Sequence, residues 1–180
     1  MPEESLTKIR LLQFMGDVKE EHQHLADRIM SAVASHLDEP IGVKIKINDT
    51  TIPVYKHQGD SGMDVRSVEK VVIAPGRTRM VRTGLYVEIP EGYEIQCRSR
   101  SGLATKGIVV SNSPGTIDSG YRGEANAILT NTSTETFTVE PGDRVAQWVL
   151  CKVEKCRFIA CEKLSDSTRG EGGYGSTGTK

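Results

Sequence analysis

Gly84-Leu-Tyr-Val-Glu-Ile-Pro-Glu-Gly-Tyr-Glu-Ile-Gln-Cys97 contains two runs of alternating apolar and polar residues on either side of Pro90-Glu-Gly92. A period of two is that of a strand with one buried face, because successive side chains point to opposite sides of a sheet. Proline and glycine favour a tight turn between the two runs. This stretch therefore predicts two short strands joined by a turn.

The same alternation continues on both sides of that stretch. Upstream, Val43-Lys-Ile-Lys-Ile47 is followed by turn residues Asn48-Asp49 and the apolar Ile52-Pro-Val-Tyr55, which predicts a strand hairpin. Further strands are predicted at 71–73, 108–110, 125–129, 137–139 and 145–150. Short strands at close spacing are typical of an antiparallel sandwich, jelly roll or barrel, whereas a parallel α/β sheet needs crossover helices. We therefore predict an all-β fold.

The first forty residues differ from the rest of the chain. Residues 6–37 are rich in helix formers, and Leu25, Ile29, Val33 and Leu37 recur at four-residue steps along one stripe. An amphipathic helical segment ending at Asp38-Glu-Pro40 is therefore predicted. The resulting organisation is an N-terminal helical extension at 1–40, a β core at 41–164 and a flexible glycine-rich arm at 165–180.

Composition narrows the function classes. The 180 residues suit one domain with an appendage, and a net charge of −1 argues against a nucleic-acid partner. No apolar run approaches the roughly 18 residues of a membrane span, and the acidic start lacks the features of a secretory signal. The expected location is cytoplasmic. The four cysteines form no C-x-x-C pair, and His22-Gln-His24 has no further ligands, so free thiols and no directly bound metal are expected.

Three stretches have the chemistry of an anion site. In Arg169-Gly-Glu-Gly-Gly-Tyr-Gly-Ser-Thr-Gly178, glycines let backbone N–H groups approach a phosphate, although such a tail is also typical of a linker. Arg98-Ser-Arg-Ser-Gly-Leu-Ala104 offers two guanidiniums, or is an ordinary charged loop. Asp118, in a predicted loop of Gly115-Thr-Ile-Asp-Ser-Gly-Tyr-Arg-Gly-Glu124, is either catalytic or structural, and Asp64 and Asp143 could simply order turns.

Read in order, five stretches resemble the five motifs of the trimeric dUTPase family over roughly residues 42–180. They are Ser61-Gly-Met-Asp-Val-Arg66, Arg100-Ser-Gly-Leu-Ala104, Gly115-Thr-Ile-Asp-Ser-Gly-Tyr-Arg-Gly-Glu124, Gly142-Asp-Arg-Val-Ala-Gln147 and Arg169-Gly-Glu-Gly-Gly-Tyr-Gly-Ser-Thr-Gly178. The resemblance implies a jelly-roll or β-barrel protomer of the β-clip type, assembled as a homotrimer. Each active site would be built from all three chains and closed by the glycine-rich arm.

The family resemblance also implies an activity, the hydrolysis of dUTP to dUMP and pyrophosphate by in-line attack of water on the α-phosphorus. Asp118 would activate the water, with Asp64 supporting it. Tyr121 would pack under the deoxyribose, and Asn112 with neighbouring backbone would read the uracil edge. Mg²⁺ would be held through the phosphates and water rather than directly by the protein. The implied substrate-binding residues are Arg100, Ser101, Gly102, Asn112, Gly115, Thr116, Ile117, Tyr121, Gln147, Arg169, Tyr174, Gly175, Ser176 and Thr177.

Two alternatives accompany this interpretation. A dCTP deaminase shares the fold and a similar third motif, but the complete tail and the Asp-x-x-Tyr-Arg-Gly-Glu loop favour a dUTPase. The second alternative is a regulatory binding protein that presents residues 1–40 to a protein partner. For that segment, packing on the barrel or on trimer mates is favoured over recognition of a partner.

Overall fold

The computed structural model describes Leu25, residues 27–29, Ser31 and residues 40–173. Between residues 40 and 173 the regular secondary structure consists of β-strands and one helical turn at Ser101–Ala104. The strands are β1 (Lys44–Ile47), β2 (Met63–Arg66), β3 (Val71–Ile73), β4 (Thr78–Val81), β5 (Leu85–Glu88), β6 (Tyr93–Arg98), β7 (Ile108–Val110), β8 (Gly115–Asp118), β9 (Ala127–Asn131), β10 (Phe137–Val139) and β11 (Arg144–Lys152). The predicted all-β fold is confirmed.

All strand pairs are antiparallel and form four small sheets. A four-stranded sheet has the order β2-β11-β6-β8, and a three-stranded sheet has the order β4-β9-β7. Two pairs, β1-β5 and β10-β3, complete the strand arrangement of the described residues. Most pairs join strands distant in sequence, so the sheets enclose a common interior instead of forming a row of local hairpins.

The interior is lined by one face of each strand. In β6, Ile95 and Cys97 are buried while Glu94, Gln96 and Arg98 lie on the opposite face, as the alternating sequence predicts. The largest fully buried side chain of the core is that of Trp148 in β11, and aliphatic residues of the other strands surround it. This core fixes the register of the four-stranded sheet, because a slip of one residue would turn its apolar side chains to the outside.

The predicted hairpin at 43–55 is wrong. β1 forms where expected, but it pairs with β5, and Asn48 continues the ladder by donating to the carbonyl of Gly84 at 2.8 Å. Residues 52–55 form no strand and leave Ile52 and Val54 more than half exposed. Pro53 accounts for part of this difference, since it has no N–H to give to a ladder.

The predicted N-terminal helix falls largely outside the described residues. Leu25, residues 27–29 and Ser31 are helical, and Leu25 and Ile29 are exposed. No described helix is both long and apolar enough to cross a membrane.

Candidate functional site

Two arginines hold the carboxylate of Asp64 in β2. Arg100 Nε donates to Asp64 Oδ1 at 2.6 Å, and Arg144 Nη1 donates to Oδ2 at 3.1 Å. Arg100 also donates to the backbone carbonyl of Arg144 at 3.2 Å, which ties the two arginines together. Two cations around one anion leave a net positive charge, and guanidinium groups bind phosphate well. This arrangement, the Asp64 cluster, is suited to receive an anionic ligand.

Gln147 lies beside the Asp64 cluster because β11 runs between β2 and β6. It is opposite Asp64 on one side and Arg98 on the other. Its side chain covers Gly62, where an added Cβ would lie 2.5 Å from Gln147 Cγ. The absence of a side chain at Gly62 therefore lets the Gln147 side chain lie against the backbone next to the Asp64 cluster.

The helical turn after β6 presents Ser101 and Gly102 to solvent. The amides of Leu103 and Ala104 both donate to the carbonyl of Arg100, so the turn starts at the arginine that contacts Asp64. The hydroxyl of Ser99 accepts the amide of Val110 at 2.8 Å. The loop is thus anchored on both sides of Arg100.

Asn112 and Gly115 are in direct contact. A Cβ at Gly115 would lie 2.8 Å from Asn112 Nδ2, so only glycine leaves the amide its present position. Asn112 is exposed and directly precedes Ser113, whose peptide bond to Pro114 is cis. Of the following residues, Thr116 is exposed, while the side chain of Ile117 is buried in the core.

Asp118 is the last residue of β8, so the prediction that it lies in a loop is wrong. Gly115–Asp118 pair with β6 over their whole length, and Asp118 is opposite Glu94. Its side chain is exposed, and no described side chain forms a hydrogen bond or ion pair with its carboxylate. This aspartate differs from Asp64 in having both oxygens available to a water molecule.

The loop after Asp118 is braced at several points. Tyr121 N donates to the carbonyl of Asp118, and Tyr121 Oη donates to the carbonyl of Glu124 at 3.1 Å. The ring lies so close to Gly123 that a Cβ there would overlap it. Glu124 accepts the amide of Gly84 at 2.8 Å and Arg82 Nε at 3.1 Å, and its proximity raises the pKa of the Arg82 guanidinium.

A cavity of about 230 Å³ separates β8 from the segment that leads into β9. Asp118, Thr116 and Tyr121 line one side, and Asn126 and Ile128 line the other. β8 is the edge strand of its sheet, so backbone groups on its free side face away from β6. An open strand edge offers both N–H donors and C=O acceptors, the groups needed to read a pyrimidine edge.

Asp64 and Asp118 lie at opposite corners of the four-stranded sheet. Across the sheet, Asp64 is opposite Gln147, and Gln147 is opposite Arg98. Continuing the same register leads to Pro114, which is four residues before Asp118. Three strand spacings of about 4.8 Å and four residue rises of about 3.3 Å separate the two aspartates by roughly 20 Å. One chain does not bring both carboxylates to one phosphorus atom.

The glycine-rich arm is described only at its start. Arg169 Nε donates to the carbonyl of Gly172 at 2.8 Å, and within the described residues no contact joins Arg169 to the Asp64 cluster. Tyr174, Gly175, Ser176 and Thr177 lie outside the described residues.

Several residues that shape the site were not singled out from the sequence. Arg144 pairs with Asp64, Glu124 anchors the loop after Asp118, and Gly62 and Gly123 make room for Gln147 and Tyr121. All four lie within or beside the quoted motifs. Their roles depend on cross-strand neighbours, which spacing along the chain does not reveal.

Comparisons with known proteins agree on one family. The family model described as dUTPase matches residues 48–178. The deoxyuridine 5'-triphosphate nucleotidohydrolase of Picosynechococcus sp. is 52% identical over 129 residues, covering 71% of this chain and 91% of that protein. A mutant dUTPase of Staphylococcus bacteriophage 80alpha with dUpNHpp aligns with a TM-score of 0.71 and 27% identity, covering 76% and 98% of the two chains. A mutant dUTPase of phage phi11 of S. aureus, described with a structural Mg(II) ion, aligns with a TM-score of 0.62 and 25% identity, covering 68% and 97%.

Proposed function

The chain belongs to the dUTPase family and is a dUTP nucleotidohydrolase that releases dUMP and pyrophosphate; we propose that Asp118 is its general base. The observation that carries the proposal is the carboxylate of Asp118 at the end of β8, which has no partner among the described side chains and lies beside a cavity bounded by Tyr121. A general base must reach the water that it deprotonates, and the open position of Asp118 allows this. The reaction supplies dUMP for dTMP synthesis, and the removal of dUTP keeps uracil out of DNA.

In the proposed mechanism, the triphosphate lies on the Asp64 cluster. Arg100, Ser101, Gly102 and Gln147 hold its oxygens, while Asp64 is a positioning residue that keeps Arg100 in place. Asp118 takes a proton from water as the oxygen attacks the α-phosphorus in line, and pyrophosphate leaves. Most of the rate enhancement then comes from alignment and charge stabilisation.

The cavity beside Asp118 is proposed to receive the nucleoside. The open edge of β8, with Gly115, Thr116, Ile117 and the side chain of Asn112, would read the uracil edge. The ring of Tyr121 would pack under the deoxyribose, where a ribose 2′-hydroxyl would meet it. The bracing of Tyr121 against Gly123 supports steric discrimination, because a fixed ring excludes a larger sugar better than a mobile one.

The separation of the two aspartates supports a site shared between chains. Because roughly 20 Å divides them within one chain, a second copy must bring its Asp118 to the Asp64 cluster of the first if both act on one triphosphate. We propose a homotrimer with three such sites, each closed by Arg169, Tyr174, Gly175, Ser176 and Thr177 of the arm.

Mg²⁺ is proposed to enter with the triphosphate. The described residues contain no group of three or more His, Cys, Asp and Glu side chains that could hold a metal ion. Asp64, the carboxylate in the proposed phosphate region, is already bound to two guanidiniums. The described side chains therefore do not form a magnesium site of their own, whereas phosphate oxygens and water suit Mg²⁺.

Substrate choice is the first test. Pyrophosphate release from dUTP, UTP, dTTP and dCTP should be measured on the full chain, with Asp118→Asn as the control. We expect dUTP to be strongly preferred and the variant to be inactive. Equal turnover of dUTP, dTTP and dCTP, or ammonia release from dCTP, would contradict the proposal.

Shared sites are tested by complementation. Asp64→Ala and Asp118→Asn chains carrying different tags would be co-expressed, and mixed assemblies isolated by both tags. If one chain supplies Asp64 and its neighbour Asp118, each isolated mixed trimer contains one complete site, so about a third of the sites are restored. Activity no higher than that of either single variant would show that both residues serve one chain.

Residues 1–40 stay a candidate surface for a protein partner, and a cytoplasmic location stays a prediction. Deleting residues 1–38 and measuring trimer mass and dUTP turnover separates packing from recognition. Unchanged mass and activity would leave a packing role without support.

A further inference from the structure

A cavity of about 530 Å³ lies beside β2, the edge strand of the four-stranded sheet. Its described charged lining residues are Lys56, Asp64, Arg66 and Arg144, and residues 51–54 form the rest of its wall. Because Asp64 and Arg144 belong to the Asp64 cluster, the cavity opens from the proposed phosphate region. None of the described residues proposed to hold the triphosphate oxygens lines it. We call it the Lys56 cavity.

The Lys56 cavity has an excess of positive charge. Lys56, Arg66 and Arg144 are cationic, and Asp64 is the one acidic group among its described lining residues. The Asp64 carboxylate already accepts from Arg144 at 3.1 Å and from Arg100 at 2.6 Å. In the part of the chain that the structure describes, no ion pair or hydrogen bond involves the Lys56 ammonium. A cavity lined mainly by one sign of charge attracts ions of the opposite sign.

Two arginines of the Lys56 cavity are cross-strand neighbours. Arg66 and Arg144 are directly opposite each other in the register of β2 and β11. Arg66 Nη1 donates to the backbone carbonyl of Gly142 at 2.7 Å, and no described carboxylate forms an ion pair with Arg66. Like charges directly opposite each other destabilise a strand pair. An anion between them removes that repulsion, and the remaining N–H groups of Arg66 are donors that phosphate oxygens accept well.

The Lys56 cavity is more open to solvent than the Asp64 cluster. Lys56 and Arg66 are exposed, whereas the side chains of Asp64 and Arg100 are only 26% and 21% exposed. An anion in an exposed site stays partly hydrated, and salt screens the charges around it, so binding is weaker and more readily reversed. These properties suit an anion that has to leave the protein.

The hydrolysis of dUTP produces such an anion. When water attacks the α-phosphorus in line, the bond to the bridging oxygen breaks, and this oxygen leaves with pyrophosphate on the side opposite to the water. Since Asp118 holds the water in the proposed mechanism, pyrophosphate departs from the Asp64 cluster. We propose that the Lys56 cavity binds the released pyrophosphate on its way to solvent, and that added pyrophosphate inhibits turnover by occupying it. The inference rests on the proposed function, because pyrophosphate is the product of that reaction.

Substitution of Lys56 tests the site, with Lys152 as the matched control. Lys152 is an exposed lysine at the other end of β11 from Arg144. Inhibition by pyrophosphate would be measured on the full chain at constant free Mg²⁺, with dUMP followed by chromatography because added pyrophosphate hides the pyrophosphate released. We expect Lys56→Gln to raise the inhibition constant about tenfold, the loss typical of one charge-assisted contact, while KM for dUTP changes by less than about twofold. Lys56→Arg, which retains the charge, and Lys152→Gln should keep the wild-type inhibition constant.

A wild-type inhibition constant in Lys56→Gln would overturn the proposal. Equal rises in KM and in the inhibition constant would also overturn it, because they would assign Lys56 to the terminal phosphates of bound dUTP. Calorimetric titration with pyrophosphate needs no turnover, and it should show weaker binding to Lys56→Gln than to the wild type. A wild-type protein that does not hydrolyse dUTP would refute the proposed function, while this titration would still test the Lys56 cavity.

Discussion

Asp64 and Asp118 lie in the same four-stranded sheet but in opposite surroundings. Asp64 has a guanidinium on each oxygen and is 26% exposed, whereas Asp118 is exposed and has no partner among the described side chains. A carboxylate whose two oxygens both accept from guanidiniums holds those cations in place and has little room to bind a water molecule. A free carboxylate has that room. This difference in surroundings supports the proposed division of roles, in which Asp64 positions the arginines and Asp118 activates water.

The largest effect is expected at Asp118. Replacing it with asparagine keeps the shape but removes the proton acceptor, so kcat should fall about 10³-fold, or about 4 kcal/mol in the barrier. Because the carboxylate has no described partner, the free energy of unfolding should change by less than about 0.5 kcal/mol. Steady-state kinetics and chemical denaturation measure the two quantities.

Glu91→Gln is the matched control, since it makes the same chemical change at an exposed turn. It should alter neither kinetics nor stability. A stable Asp118→Asn protein with more than a tenth of wild-type kcat would remove Asp118 from the role of base.

Asp64→Asn should have a smaller and different effect. Arg100 and Arg144 would lose the anion between them and repel each other, so substrate binding suffers more than the chemical step. We expect kcat/KM to fall about 30-fold, mainly through KM, which corresponds to about 2 kcal/mol. Stability should fall by about 1 kcal/mol, a modest value because the side chains are partly exposed. A fall in kcat with unchanged KM would instead make Asp64 part of the chemistry.

The sequence predicts most of the strands but not how they pair. Short runs of β-branched and aromatic residues locate β3, β7 and β10 at their observed bounds. The same signal misses β8, where glycine and aspartate have weak strand preference and pairing with β6 decides the structure.

In the candidate site, too, the sequence predicts which residues matter but not how they pair. Motif order identifies Arg100, Asp118 and Tyr121, but the pairing of Arg144 with Asp64 depends on β11 lying next to β2. The separation of the two aspartates likewise comes from register across three strand spacings. Such contacts are non-local, so no local pattern encodes them.

Substitution of Glu124 tests how the loop after Asp118 is kept in position. Glu124→Ala removes the acceptor of the Gly84 amide, and an unsatisfied backbone donor of this kind costs about 2 kcal/mol of stability. The loop that carries Tyr121 should then shift, and kcat should fall about tenfold because small displacements weaken alignment. Glu124→Gln retains an acceptor oxygen and should lose clearly less of both. If Glu124→Ala and Glu124→Gln lose the same stability and kcat, the effect comes from the charge beside Arg82 and not from the hydrogen bond to the Gly84 amide.

The smallest effect concerns Cys97, on the strand that joins the two ends of the sheet. Burial raises the pKa of the Cys97 thiol to about 11, above its usual range. At pH 8 only about one molecule in a thousand has the reactive thiolate, so Cys97 should resist an aromatic disulfide reagent while exposed Cys156 and Cys161 react quickly. In denaturant, Cys97 should become as reactive as the exposed cysteines.

The raised pKa of Cys97 also predicts that the folded state loses stability at high pH. The folded state favours the neutral thiol, so its contribution is complete below the unfolded pKa of about 9 and is lost as pH rises towards 11. Denaturation curves at pH 8 and 10.5 should therefore differ more for the wild type than for Cys97→Ala. If native Cys97 is labelled as fast as Cys156, the sheet between the two aspartates opens readily, and their roughly 20 Å separation within one chain would not be fixed.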